Sequence, residues 1–160
     1  MAPLYKSQVE NAKAIANPQV ALADISVDNP LDAGATKINI TSSQNTDGTY
    51  DVYTADNGCG MSFGGLKTAM KLGSSKKNNQ TGKSFGCKGL GMKYGATFLA
   101  QDGLLIFTKT KDCKKVNFTH FHISKLHQFP ESNDWNALFT FKELELETIR
   151  SISCNPLRQS

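Results

Sequence analysis

Three stretches of this chain combine residue types and spacings that could do chemistry. Asp56-Asn57-Gly58-Cys59-Gly60-Met61 joins a carboxylate to two glycines at the end of an alternating segment. A carboxylate accepts hydrogen bonds and cannot donate, so Asp56 suits an exocyclic amine such as that of adenine. Gly58 and Gly60, without a Cβ, let backbone approach a flat ring or a bridging water, and Met61 closes the motif. Gly86-Cys87-Lys88-Gly89-Leu90-Gly91 has the spacing GxxGxG and enters a predicted helix, where free N–H groups make an anion site. Lys88 and Lys93 are the candidate phosphate contacts there, with Ser74, Ser75 and Thr81 as hydroxyl partners. The third stretch, Asp24 to Asp32, carries Asp24, Asp28, Asn29 and Asp32 on a predicted helix.

Two other phosphate motifs fail on order. The dinucleotide fingerprint is GxGxxG after a strand, which is not the order found here. Gly82-Lys83-Ser84 is the end of a P-loop, but the first glycine of that motif would fall at position 77, which is Lys77.

Taken together, ALADISVDNPLDAGATKINI (21–40), DNGCGM (56–61) and KLGSSKKNNQTGKSFGCKGLGMKYGATFLA (71–100) resemble the Bergerat-fold (GHKL) ATPases. That superfamily includes gyrase, the ninety-kilodalton heat-shock chaperones, histidine kinases and MutL. DNPLDAGATKINI followed by DNGCGM is most similar to MutL, whereas LGSSKK, the glycine motif and DGLLIFTK are more similar to the MORC proteins. The resemblance covers roughly residues 15–110 and implies an α+β two-layer sandwich, with helices on one face of a mixed, mostly antiparallel sheet. It also implies that Gly86, Gly89, Leu90 and Gly91 belong to a lid over a triphosphate, and that the Asn29 amide oxygen coordinates magnesium, so ATP and Mg2+ are the expected ligands.

The chain departs from the family at the catalytic base. Family members that hydrolyse ATP place a glutamate four residues before the asparagine, one helical turn away on the same face. Here that position is Ile25. Asp24 is the nearest acid, but at five residues it points about 100° away in a regular helix. A one-residue bulge with Ser26 as the extra residue would bring it into line. Pro30 favours such a distortion, because it lacks the N–H that would bond the Ser26 carbonyl and its ring crowds that carbonyl. A regular helix would instead turn Ile25 toward the phosphate. A second departure is the absence of the Gly-Thr pair that closes the adenine pocket: residues 136–144 offer Asn136-Ala137 and a displaced Thr140.

The elements needed to position these residues are legible from pattern. Residues 4–16 form a short amphipathic stretch, and a helix from Val20 is predicted to end at Gly34. Alternation at 37–42 and 50–54 around Asp47-Gly48 predicts a hairpin. Helices are expected at 66–72 and 90–99, with strands near 103–110, 114–123 and 136–142. The polar run 73–88 between them has the length of a functional lid.

With 160 residues, 39% hydrophobic and 20% charged, the chain has the composition of one globular domain spanning 1–160, or of a fragment of a larger protein. No apolar run reaches the ~20 residues that span a bilayer, which gives an intracellular expectation, cytoplasmic or nuclear, with no membrane partner. Cys59, Cys87, Cys113 and Cys154 are widely spaced, predicting reduced thiols. The net charge of +4 includes Lys76, Lys77, Lys83, Lys88 and Lys93 crowded around the glycines; a triphosphate explains them without nucleic acid, although nucleic acid is compatible with the charge. Two functions fit. One is a Mg-ATP-binding domain with slow hydrolysis, coupled to lid closure and, as the resemblance to MutL and MORC proteins implies, to homodimerisation through the matching residues 1–17 and 73–88. The other is a nucleotide-sensing module in which Ile25 marks a lost base.

Overall fold

The computed structural model describes residues 17–71, 95–97, 99–100, 102–127 and 135–153. The N-terminal stretch 4–16, the 73–88 lid, the start of the helix predicted at 90–99, and the candidate residues Ser74, Ser75, Thr81, Gly86, Lys88, Gly89, Leu90, Gly91 and Lys93 lie outside the described residues.

The first helical unit runs in three pieces: α1 (Pro18–Ala23), a π-helical turn (Asp24–Asp28) and α2 (Asn29–Asp32). Asn17 caps it, its side chain accepting from the Gln19 N–H at 2.9 Å, and Pro18 fills the first helical position, where no N–H is needed. The end is closed by Gly34 at φ 73, with the Gly34 N–H bonded to the Leu31 carbonyl and the Ala35 N–H to the Pro30 carbonyl. Glycine takes this left-handed position without a Cβ clash.

Strands β1 (Ile38–Gln44) and β2 (Tyr50–Asp56) form the predicted hairpin, paired from Ile38↔Asp56 to Gln44↔Tyr50. The turn is built by Asp47, whose Oδ1 accepts from the Thr49 N–H at 2.9 Å and the Thr49 hydroxyl at 2.6 Å, and by Gly48 at φ 84. Helix α3 (Phe63–Met70) starts at Ser62, whose Oγ accepts from the Gly65 N–H, and buries Leu66 and Met70 one turn apart.

A second sheet contains β3 (Gly103–Thr108), β4 (Val116–His122) and β5 (Phe139–Leu144) in that order, and every described strand pair is antiparallel. Two 3-10 turns, Ile123–His127 and Trp135–Leu138, precede β5 in sequence, and α4 (Leu146–Ser153) follows it. Neither the short turns nor α4 is foreshadowed by pattern; α4 follows β5 after one residue, Glu145, with no Gly or Pro to mark the break.

The core lies between this sheet and the helices on one of its faces, as expected of an α+β sandwich. Phe121 and Phe139 stack with ring centroids 4.6 Å apart, against Met70 of α3, Ala96 of the helical residues 95–97, Ile123 and Leu138. Leu104, Ile106 and Phe141 extend the same face, since they stand opposite Phe121 or Thr119 in register. The other face carries Leu105, Phe107, Phe118, His120, His122 and Thr140. No helix among the described residues is long and apolar enough to cross a membrane.

Candidate nucleotide site

Of the two geometries the sequence leaves open, bulged or regular, the helix takes the bulged one, as a π turn. The Asn29 N–H donates to the carbonyl of Asp24 rather than to that of Ile25, so five residues separate donor and acceptor. The Asn29 side chain joins in, with Nδ2 donating to the same carbonyl at 2.8 Å. Asp24 and Asn29 therefore sit one above the other. With Nδ2 committed to this bond, the amide of Asn29 presents Oδ1, a hard oxygen, as its acceptor.

Ile25 does not share the face of Asn29, as it would in a regular helix. It packs against the hydrophobic core, and its Cδ1 lies 3.0 Å from where a Cβ on Gly95 would stand. Glycine at 95 lets the following helix approach this closely. Ser26, the extra residue, is 1% exposed, and its Oγ accepts from the Thr54 hydroxyl of β2 at 2.9 Å.

Burial holds the Asp24 carboxyl above the ordinary carboxylate range, and the Asp28 carboxyl, one turn on, raises it further by charge and by a hydrogen bond. A carboxyl shifted toward neutrality is a better general base than an ordinary exposed one. Among the described residues no group of three or more His, Cys, Asp or Glu side chains could cage a metal. The oxygen donors of Asn29 and its neighbouring aspartates instead suit magnesium, which takes few protein ligands and keeps phosphate and water.

The DNGCGM loop leaves β2 between two neighbouring backbones. Asp56 Oδ1 accepts from the Gly58 N–H at 2.8 Å, a local turn that orients the carboxylate and leaves Oδ2 as a further acceptor. A Cβ on Gly58 would stand 2.8 Å from the Ala33 Cβ, and the next N–H, of Cys59, donates to the Ala33 carbonyl at 2.9 Å. Gly60 has φ 65, and a Cβ there would overlap the Lys109 carbonyl. Both glycines thus have a packing reason within the protein, beside any closeness to a ligand. Asn57 is structural: its Oδ1 accepts from the Thr36 and Lys37 N–H groups, both at 2.9 Å.

Sequence reasoning missed what grips Met61. Its N–H donates to Thr108 Oγ1 at 2.8 Å, and its carbonyl accepts from Asn117 Nδ2 at 2.9 Å. Thr108 and Asn117 are directly opposed across β3 and β4, so one strand pair holds both backbone groups. Asn117 Oδ1 and the neighbouring Thr119 Oγ1, on the same sheet face, are buried without a hydrogen-bond partner among the described residues. Polar residues on the core face of β4 were the available signal. The displaced Thr140 looks the other way: its hydroxyl meets His122 Nε2 at 2.9 Å on the outer face, and Asn136-Ala137 lie in a 3-10 turn rather than a strand. Neither supplies the Gly-Thr pair.

The site therefore has a helical turn stacking an acid over an asparagine, a glycine loop pinned between helix end and sheet, and helices on one face of an antiparallel sheet. Residues 16–152 match the family of histidine kinase-, DNA gyrase B- and HSP90-like ATPases, and the chain belongs to it. It is 36% identical over 94 residues to the MORC family CW-type zinc finger protein 1 of Mus musculus and 35% identical over 94 residues to that of Homo sapiens. Each match covers 58% of this chain but only 10% and 9% of those much longer proteins. Membership of this family supports ATP binding.

Proposed function

We propose that the chain is a Mg-ATP-binding domain that hydrolyses ATP slowly, with Asp24 as the residue that orients and deprotonates the attacking water. The observation that carries this reading is the π turn, which stacks Asp24 over Asn29 although five residues separate them. In this reading Asp56 accepts from the adenine amine, and Gly58, Gly60 and Met61 shape the base end. Asn29 offers Oδ1 to magnesium, which would neutralise phosphate charge. Lys88, Lys93, Ser74, Ser75 and the glycines Gly86, Gly89 and Gly91, with Leu90, close over the phosphates, and the ordered lid with residues 1–17 forms a homodimer surface inside the cell. The MORC likeness adds weight to nucleotide-driven association.

A second reading, a sensing module without turnover, draws on Ile25, whose apolar side chain stands where hydrolysing relatives carry the base and here packs in the core. Titration of the purified chain with Mg-ATP and a non-hydrolysable analogue, followed by a turnover assay, separates the two. Binding with slow magnesium-dependent turnover supports the first, binding without turnover the second, and no binding defeats both.

A further inference from the structure

A π turn inserted in a short helix is unfavourable unless its surroundings impose it. Three features do so here. Pro30 lacks the N–H that would otherwise bond the Ser26 carbonyl in an α register. Ile25 is packed into the core beside Gly95. Ser26 is almost wholly buried, and its hydroxyl is satisfied by Thr54 from a strand 28 residues away. The first two features leave the polar Ser26 buried but do not hold its hydroxyl. That falls to Thr54, in the middle of β2 opposite Ile40.

We infer that Ser26 and Thr54 are a positioning pair, which locks the extra residue of the π turn onto the hairpin and thereby keeps Asp24 stacked over Asn29. The inference rests on the proposed role of Asp24 but can fail separately from it. Without the pair, Ser26 would hold a buried hydroxyl with no partner, and the turn would relax toward an α register. In that register Asp24 swings about 100° away from its place over Asn29. A serine hydrogen-bonded merely for packing would have no such consequence at Asp24.

The test compares Thr54→Val, which keeps shape and removes the donor, with Thr54→Ser, which keeps the donor, and with Ser26→Ala. Scalar couplings across the hydrogen bond from the Asn29 N–H to its carbonyl acceptor read the register of the turn directly by NMR, and ATP affinity and kcat are measured in parallel. In the parent and in Thr54→Ser the Asn29 N–H is expected to couple to the Asp24 carbonyl. In Thr54→Val and Ser26→Ala that coupling should be lost in favour of the Ile25 carbonyl, with kcat reduced by about tenfold or more, as for a misplaced base, and ATP affinity kept. An unmoved coupling in Thr54→Val overturns the inference. So does a parallel loss of affinity and kcat that serine at position 54 fails to rescue, since that is the signature of simple destabilisation. A parent without turnover sinks the hydrolytic role of Asp24, while the coupling still decides whether the pair positions it.

Discussion

Both hydrogen-bond donors of Asn29, its backbone N–H and its side-chain Nδ2, meet the carbonyl oxygen of Asp24 five residues earlier. These paired hydrogen bonds to one acceptor fix the asparagine rotamer and the π register together. They put the acid where a regular helix would need a residue four positions back.

Replacing Asp24 with asparagine should therefore separate activity from stability. Removal of the base is expected to lower turnover by about tenfold or more with ATP binding retained, a barrier change of ~1.4 kcal/mol per decade. Stability should move the other way. A carboxyl whose folded pKa is raised favours folding at pH below its ordinary pKa of 3.8, and that contribution is lost as pH rises through the higher folded value. At neutral pH the charged Asp24 is thus a cost that the Asp24→Asn variant lacks, and the variant should melt slightly above the parent. A turnover rate equal to that of the parent would remove Asp24 from the mechanism.

Asp56→Ala tests the base end. The carboxylate oxygen not used by Gly58 is proposed to accept from the adenine amine, and a charge-assisted hydrogen bond is worth about 1.5–3 kcal/mol. Calorimetry should show ATP binding weakened by roughly tenfold or more. The parent should prefer ATP to GTP, because guanine presents a carbonyl where adenine presents its amine. Equal affinities in parent and variant would reassign the adenine contact.

How much of this was legible in the chain follows from which interactions are local. The hairpin was, because Asp47-Gly48 carries its own turn chemistry between alternating segments. The bulge was legible as one of two alternatives, since Pro30 and the misplaced Asp24 lie close together in the helix, but the string did not decide between it and a regular helix. Thr108 and Asn117 were not. They reach Met61 across 47 and 56 residues, and the one local signal, polar residues alternating along β4, does not say what they bind. The Ser26–Thr54 bond was hidden for the same reason. The face of Thr140 was hidden as well, because strand registry decides it, and its cross-strand neighbour His120 belongs to the outer face.

Gly60→Ala should be much more damaging than Gly48→Ala, although both glycines have positive φ. At Gly48 a Cβ meets nothing within 4 Å, so the cost is that of the left-handed conformation, about 1–2 kcal/mol. At Gly60 the same cost is joined by overlap with the Lys109 backbone, which can yield only by moving the loop. Denaturant titration should give a loss for Gly60→Ala exceeding that for Gly48→Ala by about 1 kcal/mol or more, in the range of overpacked sites. Equal losses would mean that the loop and Lys109 are not in contact.

Thr119→Val is expected to stabilise the fold. The Thr119 side chain is fully buried on the core face of β4, between Asn117 and Phe121 in the same row, and its hydroxyl has no partner among the described residues. Valine has nearly the same shape and no polar atom to desolvate, so the change should add about 1 kcal/mol, the scale of an unmet buried hydrogen bond. Thermal and denaturant unfolding would show it. A loss of stability instead would reveal a water or ligand that satisfies the hydroxyl.

The outer face of the second sheet should make the domain acid-sensitive. His120 and His122 lie with ring centroids 3.7 Å apart, and His122 Nε2 meets the Thr140 hydroxyl. Burial lowers the pKa of His120 from 6.5, with the His122 and Lys125 charges adding to it; burial and then Lys125 do the same at His122. A folded pKa below the unfolded one means that the neutral rings contribute stability above about pH 6.5, and that this contribution is lost as pH falls through the lower folded values. The thermal midpoint should accordingly drop as pH is taken from about 7 to about 5, and the double variant His120→Gln, His122→Gln should drop less. Comparing the two slopes cancels the carboxylates, including the opposite trend from Asp24. Parallel slopes in parent and double variant would show that the two rings take up protons as readily in the folded state as in the unfolded one.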